Sequence, residues 1–218
     1  MHIPDGFLDL KTTITTAVAS AGGLGYGVKE IRKKLGDKHI PLLGVTAAFI
    51  FAAQMLNFPI AGGTSGHFLG AALAAILLGP WASLIIMTVV LAIQCFGFAD
   101  GGLTALGANV FNMGIIGGVL TYYLIFLPLK RTLPKTKRGF LTTSAITAWA
   151  SVFIASIICA LELSISGTSP LNVALPAMAG VHALIGIGEA IITSVVLAVV
   201  INVRPDLIRE YSKPKEEA

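Results

Sequence analysis

The stretch FLGAALAAILLGPWASLIIMTVVLAIQCFGF, Phe68 to Phe98, decides how this chain is folded. It is apolar throughout and interrupted at Gly79-Pro80. One long kinked helix or two short helices joined by a tight turn would both satisfy the local pattern. Basic residues elsewhere choose between them. Fourteen of the fifteen Lys and Arg fall in three clusters: Lys29, Arg32, Lys33, Lys34 and Lys38; Lys130, Arg131, Lys135, Lys137 and Arg138; and Arg204, Arg209, Lys213 and Lys215. If all three face the cytoplasm, an even number of membrane crossings separates each from the next. Between the first two clusters, four crossings arise only when residues 68–98 form a hairpin.

Working outward, the remaining apolar runs are roughly 8–28, 41–56, 104–128, 141–161 and 179–203. Most approach the ~20 residues that span a hydrocarbon core. The expectation is an all-α membrane protein with seven transmembrane helices, amino terminus outside and carboxyl terminus inside. Residues 1–203 would form a single transmembrane domain, its amino-terminal segment 1–7 included, and 204–218 a charged cytoplasmic tail that frays or lies on the membrane surface. Composition agrees: 55% of residues are hydrophobic and 12% charged, with a mean hydropathy of +0.85, whereas a soluble domain carries about twice that charge. The 24 glycines suit close helix packing in lipid. The net charge of +4 does not indicate nucleic acid, because the cations mark one membrane face. Cys95 and Cys159 lie in apolar runs without metal-ligand spacing and are expected to be small buried hydrophobes.

This topology gathers the unusual residues outside: His2, the loop NFPIAGGTSGH (Asn57–His67), Asp100 and the 162–178 connection. The opening MHIPDGFLDL has no Lys or Arg, two carboxylates and a Pro-Asp-Gly turn, unlike a cleavable signal peptide. It is expected to be kept. A chain starting X-His then holds three nitrogen donors in series: the free amine, the second amide nitrogen and the imidazole Nδ1. On one metal they close a five- and a six-membered ring, nearly strain-free and kept coplanar by the planar peptide. Loss of the amide proton favours metals that prefer tetragonal nitrogen sites, notably Ni(II) and Cu(II). One corner stays open for another imidazole. His67, at the end of the external glycine-rich loop, is the candidate, with Thr64 and Ser65 placed to orient a ring by hydrogen bonding.

MHIPDGFL, NFPIAGGTSGH, LGANVFNM and HALIGIGEA, in this order, closely resemble the CbiM/NikM family, and the resemblance runs from Met1 to about Val203. Those proteins are the substrate-binding membrane components of energy-coupling-factor transporters for cobalt and nickel. The resemblance implies a seven-helix fold with an added amino-terminal helix. It implies metal ligation by Met1 (amine), His2 (amide and Nδ1) and His67. It also implies Ni(II) or Co(II) as transported substrate rather than cofactor, supplying cobalamin biosynthesis or nickel enzymes across a prokaryotic cell membrane. Implied partners are a transmembrane coupling subunit, two ATP-binding subunits and a small accessory membrane subunit. Small-residue patches such as Ala48 and Ala52 meet the coupling subunit in that family; internal packing is the other reading.

Asn57 lies in the same loop as His67, and Asn109 and Asn112 share a helix face that could hold the external loops in place. His182 and Glu189, seven apart in the last helix, are intramembrane ionisable groups; the favoured reading is satisfaction by Asn109, Asn112 or Gln54 from neighbouring helices. No Gly-Lys-Ser/Thr follows GGLGYG (Gly22–Gly27), so active uptake needs a separate ATPase. Two rival functions remain: an intramembrane protease, for which GTSG (Gly63–Gly66) resembles the rhomboid Gly-x-Ser-Gly with His182 as base, and a self-sufficient carrier.

Overall fold

The structure is a computed structural model and describes residues 1–34 and 40–211. Seven helices follow in order: α1 Leu10–Lys34, α2 Ile40–Gln54, α3 Ala71–Leu78, α4 Pro80–Phe98, α5 Leu106–Thr132, α6 Lys137–Ile165 and α7 Leu171–Val203. Four of them, α4 to α7, are long and apolar enough to cross a membrane, and α2 is a shorter apolar helix. Lys38, of the first basic cluster, lies outside the described residues.

The chain breaks at Gly79-Pro80, as the hairpin reading requires. Pro80 opens α4, where its missing N–H costs nothing and its fixed φ is already helical. Gly79 sits at φ 97° and ψ 158°, a region essentially reserved for glycine. The Ser83 hydroxyl then donates to the Ala71 carbonyl at 2.8 Å, so α4 returns along α3. Gly79→Ala should therefore cost on the order of 1–3 kcal/mol from backbone strain alone. The check is a lowered melting midpoint in detergent; an unchanged midpoint would mean the turn relaxes without strain.

Yet α3 has only eight residues, about 12 Å at 1.5 Å per residue, far short of a ~30 Å core. All eight are buried, surrounded by α4 to α7. Before it, residues 55–70 descend in a non-helical course built on a two-residue hairpin, Phe58–Pro59 against Ser65–Gly66. Irregular backbone at such depth is tolerated only when protein encloses it, and Ile60, Thr64 and His67 to Gly70 are indeed buried.

Helix packing uses small residues, as expected where lipid offers no hydrophobic incentive for helices to associate. The Ser151 hydroxyl reaches the Gly117 carbonyl at 2.6 Å. In α5, residues Phe111–Leu120 and Tyr122–Phe126 wind as wider π-helical turns, a form common at functional sites. Helix α7 buries a single stripe: Ala174, Met178, His182, Gly186, Glu189, Thr193, Leu197 and Ile201. Its other faces are open. Ala48 and Ala52 are exposed on α2, so they do not serve internal packing.

The two ends of the bundle differ in chemistry. One end joins the α3–α4 turn, the α5–α6 turn and the end of α7. There residues 204–211 dock rather than fray as their charge suggested. Ile208 is buried, the Arg209 N–H donates to the Leu77 carbonyl at 3.1 Å, and Glu210 pairs with Lys130 at 2.7 Å. Tyr211 packs edge-on against Phe140. Two apolar anchors, Ile208 and Tyr211, and two polar contacts outweigh the solvation of a short charged segment. Residues 212–218 lie outside the described residues. The opposite end carries the amino terminus, Asn57, Asp100 and Thr168.

Candidate metal site

Residues 1–5 turn into the protein instead of trailing from it. Met1 and Ile3 are fully buried, and His2 is 3% exposed. Paired hydrogen bonds hold them. The Ile3 N–H donates to Asn109 Oδ1 at 2.8 Å, and the Asn109 amide and Gly102 N–H return bonds to the Ile3 carbonyl. Asp5 accepts from the Thr104 N–H and hydroxyl, and the Thr168 hydroxyl donates to the Phe7 carbonyl.

Nitrogen atoms converge as a result. The Met1 amine donates to the Ser65 carbonyl at 2.5 Å and to Ser65 Oγ at 3.0 Å. The His2 N–H donates to the same Oγ, also at 3.0 Å. Two nitrogens bonded to one oxygen face one point in space. The rings of His2 and His67 stack with centroids 4.4 Å apart and planes 21° from parallel. His67 Nδ1 lies 2.7 Å from the Phe68 carbonyl. A carbonyl only accepts, so Nδ1 carries the proton and Nε2 a lone pair. That Nε2 is buried without a hydrogen-bond partner. His2 Nδ1 donates to Asp100 Oδ1 at 2.7 Å, and Asn57 donates to the other carboxylate oxygen at 2.8 Å.

Burial sets the protonation. It pushes the Met1 amine down to about 5. Burial also lowers His2, against the opposing bond to Asp100. Asp100 is raised by burial, but the hydrogen bonds from His2 and Asn57 win and hold it below its ordinary value. Near neutral pH the amine is uncharged, with a lone pair available to a cation, and the His67 tautomer leaves another on Nε2. Their neighbour Asp100 supplies negative charge, and it lines an outward-facing cleft together with Asp5 and Asn57.

Among the described residues no group of three or more His, Cys, Asp or Glu side chains is arranged to hold a metal. Of the residues expected to orient the site, Ser65 accepts from the Met1 amine and the His2 N–H, Asn57 donates to Asp100, and Asn109 accepts from the Ile3 N–H. The Thr64 hydroxyl lies 3.8 Å from Cys159 Sγ and from Met178 Sδ. Asn112 donates to Glu162, near the end of α6, at 2.5 Å. Glu189 is satisfied as an interior group and His182 through one nitrogen alone, its Nε2 being buried without a partner, and neither is served by Asn109, Asn112 or Gln54. His182 Nδ1 donates to the Met178 carbonyl one turn earlier, and Glu189 accepts from the Leu69 and Gly70 N–H groups. No hydrogen bond joins His182 to the Ser65 hydroxyl among the described residues. Asp100 was missed as a partner of His2; its only signal was an acidic residue on the same face.

A profile described as the cobalt uptake substrate-specific transmembrane region, CbiM, matches residues 2–207. The chain belongs to the CbiM family. It is 45% identical over 98% of its length to a putative fused nickel transport protein of Archaeoglobus fulgidus, covering 70% of that protein. It is 33% identical over its whole length to a putative cobalt transport protein of Methanocorpusculum labreanum, covering 96% of it. A crystal structure of a truncated transition metal transporter superposes on 93% of the chain and 99% of its own, with a TM-score of 0.85 at 36% identity. Like the rest of the CbiM family, the chain is a multi-pass membrane component of cobalt or nickel uptake.

Proposed function

We propose that this chain is the substrate-binding component of an ATP-driven energy-coupling-factor transporter and captures Ni(II) or Co(II) at the extracellular face. Met1 contributes its amine, His2 its amide nitrogen and Nδ1, and His67 its Nε2. One observation carries the proposal: the Met1 and His2 nitrogens aim at one atom, Ser65 Oγ, beside two stacked imidazoles. To chelate, the His2 ring turns about its Cβ–Cγ bond so that Nδ1 leaves Asp100, and the Nδ1 proton passes to the unpartnered Nε2, which frees the Nδ1 lone pair without net proton release. The Asp100 carboxylate then remains close by to balance the cation's charge.

The basic clusters lie at the end where residues 204–211 dock, which supports placing that end in the cytoplasm. Counting residues 55–70 with α3 as one crossing gives seven, amino terminus outside, with 1–203 as a single substrate-binding domain and 204–218 at the inner face. Relatives named as fused nickel transport proteins support association with further components. Those components are a transmembrane coupling subunit that meets the exposed Ala48–Ala52 face, two ATP-binding subunits and an accessory membrane subunit. Together they supply cobalt for cobalamin or nickel for enzymes.

Proton release on binding tests the ligand set. An ordinary terminal amine, protonated until about pH 8, would add its own proton to that of the amide. Here burial holds the amine neutral above about pH 5. Metal binding at pH 7 should therefore release one proton per ion, from the His2 amide. Below pH 5 the amine competes as well, and affinity should fall more steeply with acidity. Metal titration with proton release in parallel measures this. Binding at pH 7 without proton release would rule out the amide as a ligand.

A further inference from the structure

We infer that Glu189 is a positioning residue for metal capture: through the start of α3 it sets the direction of His67. The inference rests on the four-nitrogen reading above. Glu189 belongs to the buried stripe of α7 and is 1% exposed. Its Oε2 accepts from the Leu69 N–H at 2.8 Å and its Oε1 from the Gly70 N–H at 2.7 Å. These N–H groups belong to Gly70, the N-cap of α3, and to the residue before it. The backbone entering α3 has no side-chain cap of its own. A carboxylate from another helix holds it instead.

The clamp lies two and three residues beyond His67. Between them, the His67 Nδ1–H bond to the Phe68 carbonyl ties the ring to this same backbone. Gln54 Nε2 donates to the Leu69 carbonyl at 2.7 Å, holding the segment from α2. Gly70 adopts φ 79°, and a Cβ there would stand 2.7 Å from Ile50, so only glycine fits this close turn. One acceptor would fix only a distance. Two oxygens on two successive N–H groups also fix the twist of the Phe68–Leu69 peptide, whose carbonyl accepts the imidazole Nδ1–H. What remains free is His67 Nε2, buried and unpartnered.

Glu189→Gln keeps the volume but offers one oxygen, and its NH2 opposes the second N–H. A donor must lie within about 0.5 Å and 10–20° of its working position, so the fourth nitrogen is lost from the square while amine, amide and His2 Nδ1 remain. Ni(II) affinity should fall roughly ten- to hundredfold. The visible absorption band of bound Ni(II) should move toward that of His67→Ala, as water replaces nitrogen. The decisive measurement is the double variant. If Glu189 acts only through His67, adding Glu189→Gln to His67→Ala should cause no further loss. A purely structural role would leave the band of the single variant unmoved and would add its full loss in the double, and either result overturns the inference. Should Glu189→Gln not accumulate as folded protein, Glu189→Asp, which keeps the charge on a shorter stem, carries the same comparison. An unaltered affinity in His67→Ala would instead remove the four-nitrogen reading itself.

Discussion

Placing even one residue ahead of Met1 is expected to abolish metal retention while every side chain of the protein is preserved. The added residue converts the terminal amine into an amide, and the five-membered ring of the chelate can no longer close on a basic nitrogen. Burial sharpens the effect. Met1 is fully enclosed, with its amine on Ser65, so an extension must also pull the first residues out of their pocket. Three samples make the comparison: the native start, an extended form, and the extended form cut back to Met1 by a protease. Retention should be full, absent and restored. A site assembled from side chains alone would hold metal in all three, and that result would end the terminal-amine mechanism. Exchanging Met1 for Ala is a useful contrast. Its backbone still supplies the donor, so affinity should change much less, although emptying a buried methionine pocket costs about 2–5 kcal/mol of stability.

The second large effect belongs to the imidazoles. A complete four-ligand metal set is worth about 10–16 kcal/mol in small zinc domains. Removing one nitrogen of four then costs roughly 2.5–4 kcal/mol, or about a hundred- to thousandfold in affinity at 1.4 kcal/mol per decade. His67→Ala should show this loss with the fold intact, because Nε2 makes no hydrogen bond and Nδ1 bonds only to the carbonyl of the next residue, Phe68. His2→Ala should lose at least as much, since without the imidazole anchor the amide has little reason to surrender its proton. Asn109→Ala, which loosens Ile3, should weaken binding less, and His182→Ala less still. Equilibrium titration of the four variants, with circular dichroism to confirm folding, gives the order. Loss of metal in His182→Ala with retention in His67→Ala would move the fourth ligand to α7.

The helices and the chelating nitrogens could be read from sequence because each is local: apolar runs mark helices, and Met1-His2 carries three donors in adjacent positions. What escaped was non-local or hidden in the backbone. The hairpin that lifts Ser65 toward the amine has two residues per strand, too few for any period. Glu189 was matched to polar side chains, but its partners are peptide N–H groups, which leave no trace in residue identity. Asn109 and Asn112 were placed on one face by their spacing of three. Helix α5 changes to π-helical turns at Phe111, so the widened turn carries Asn112 toward Glu162, near the end of α6. The docked segment 204–211 was obscured by its charges, since Ile208 and Tyr211 find their places only after the bundle exists.

The stapled amino terminus also has a consequence in time. Residues 1–5 are separated from their hydrogen-bond partners Ser65, Asp100, Thr104 and Asn109 by 63 to 106 positions. Contacts of such long range form late, because the chain between them must be ordered first. Residues among the earliest to leave the ribosome are thus among the last to reach their native positions, waiting until the start of α5 has been made and threaded. A nascent chain arrested before Asn109 would carry Met1, His2 and His67 and still have no pocket to hold them. Metal-binding competence in this protein is then a report that membrane insertion has gone to completion.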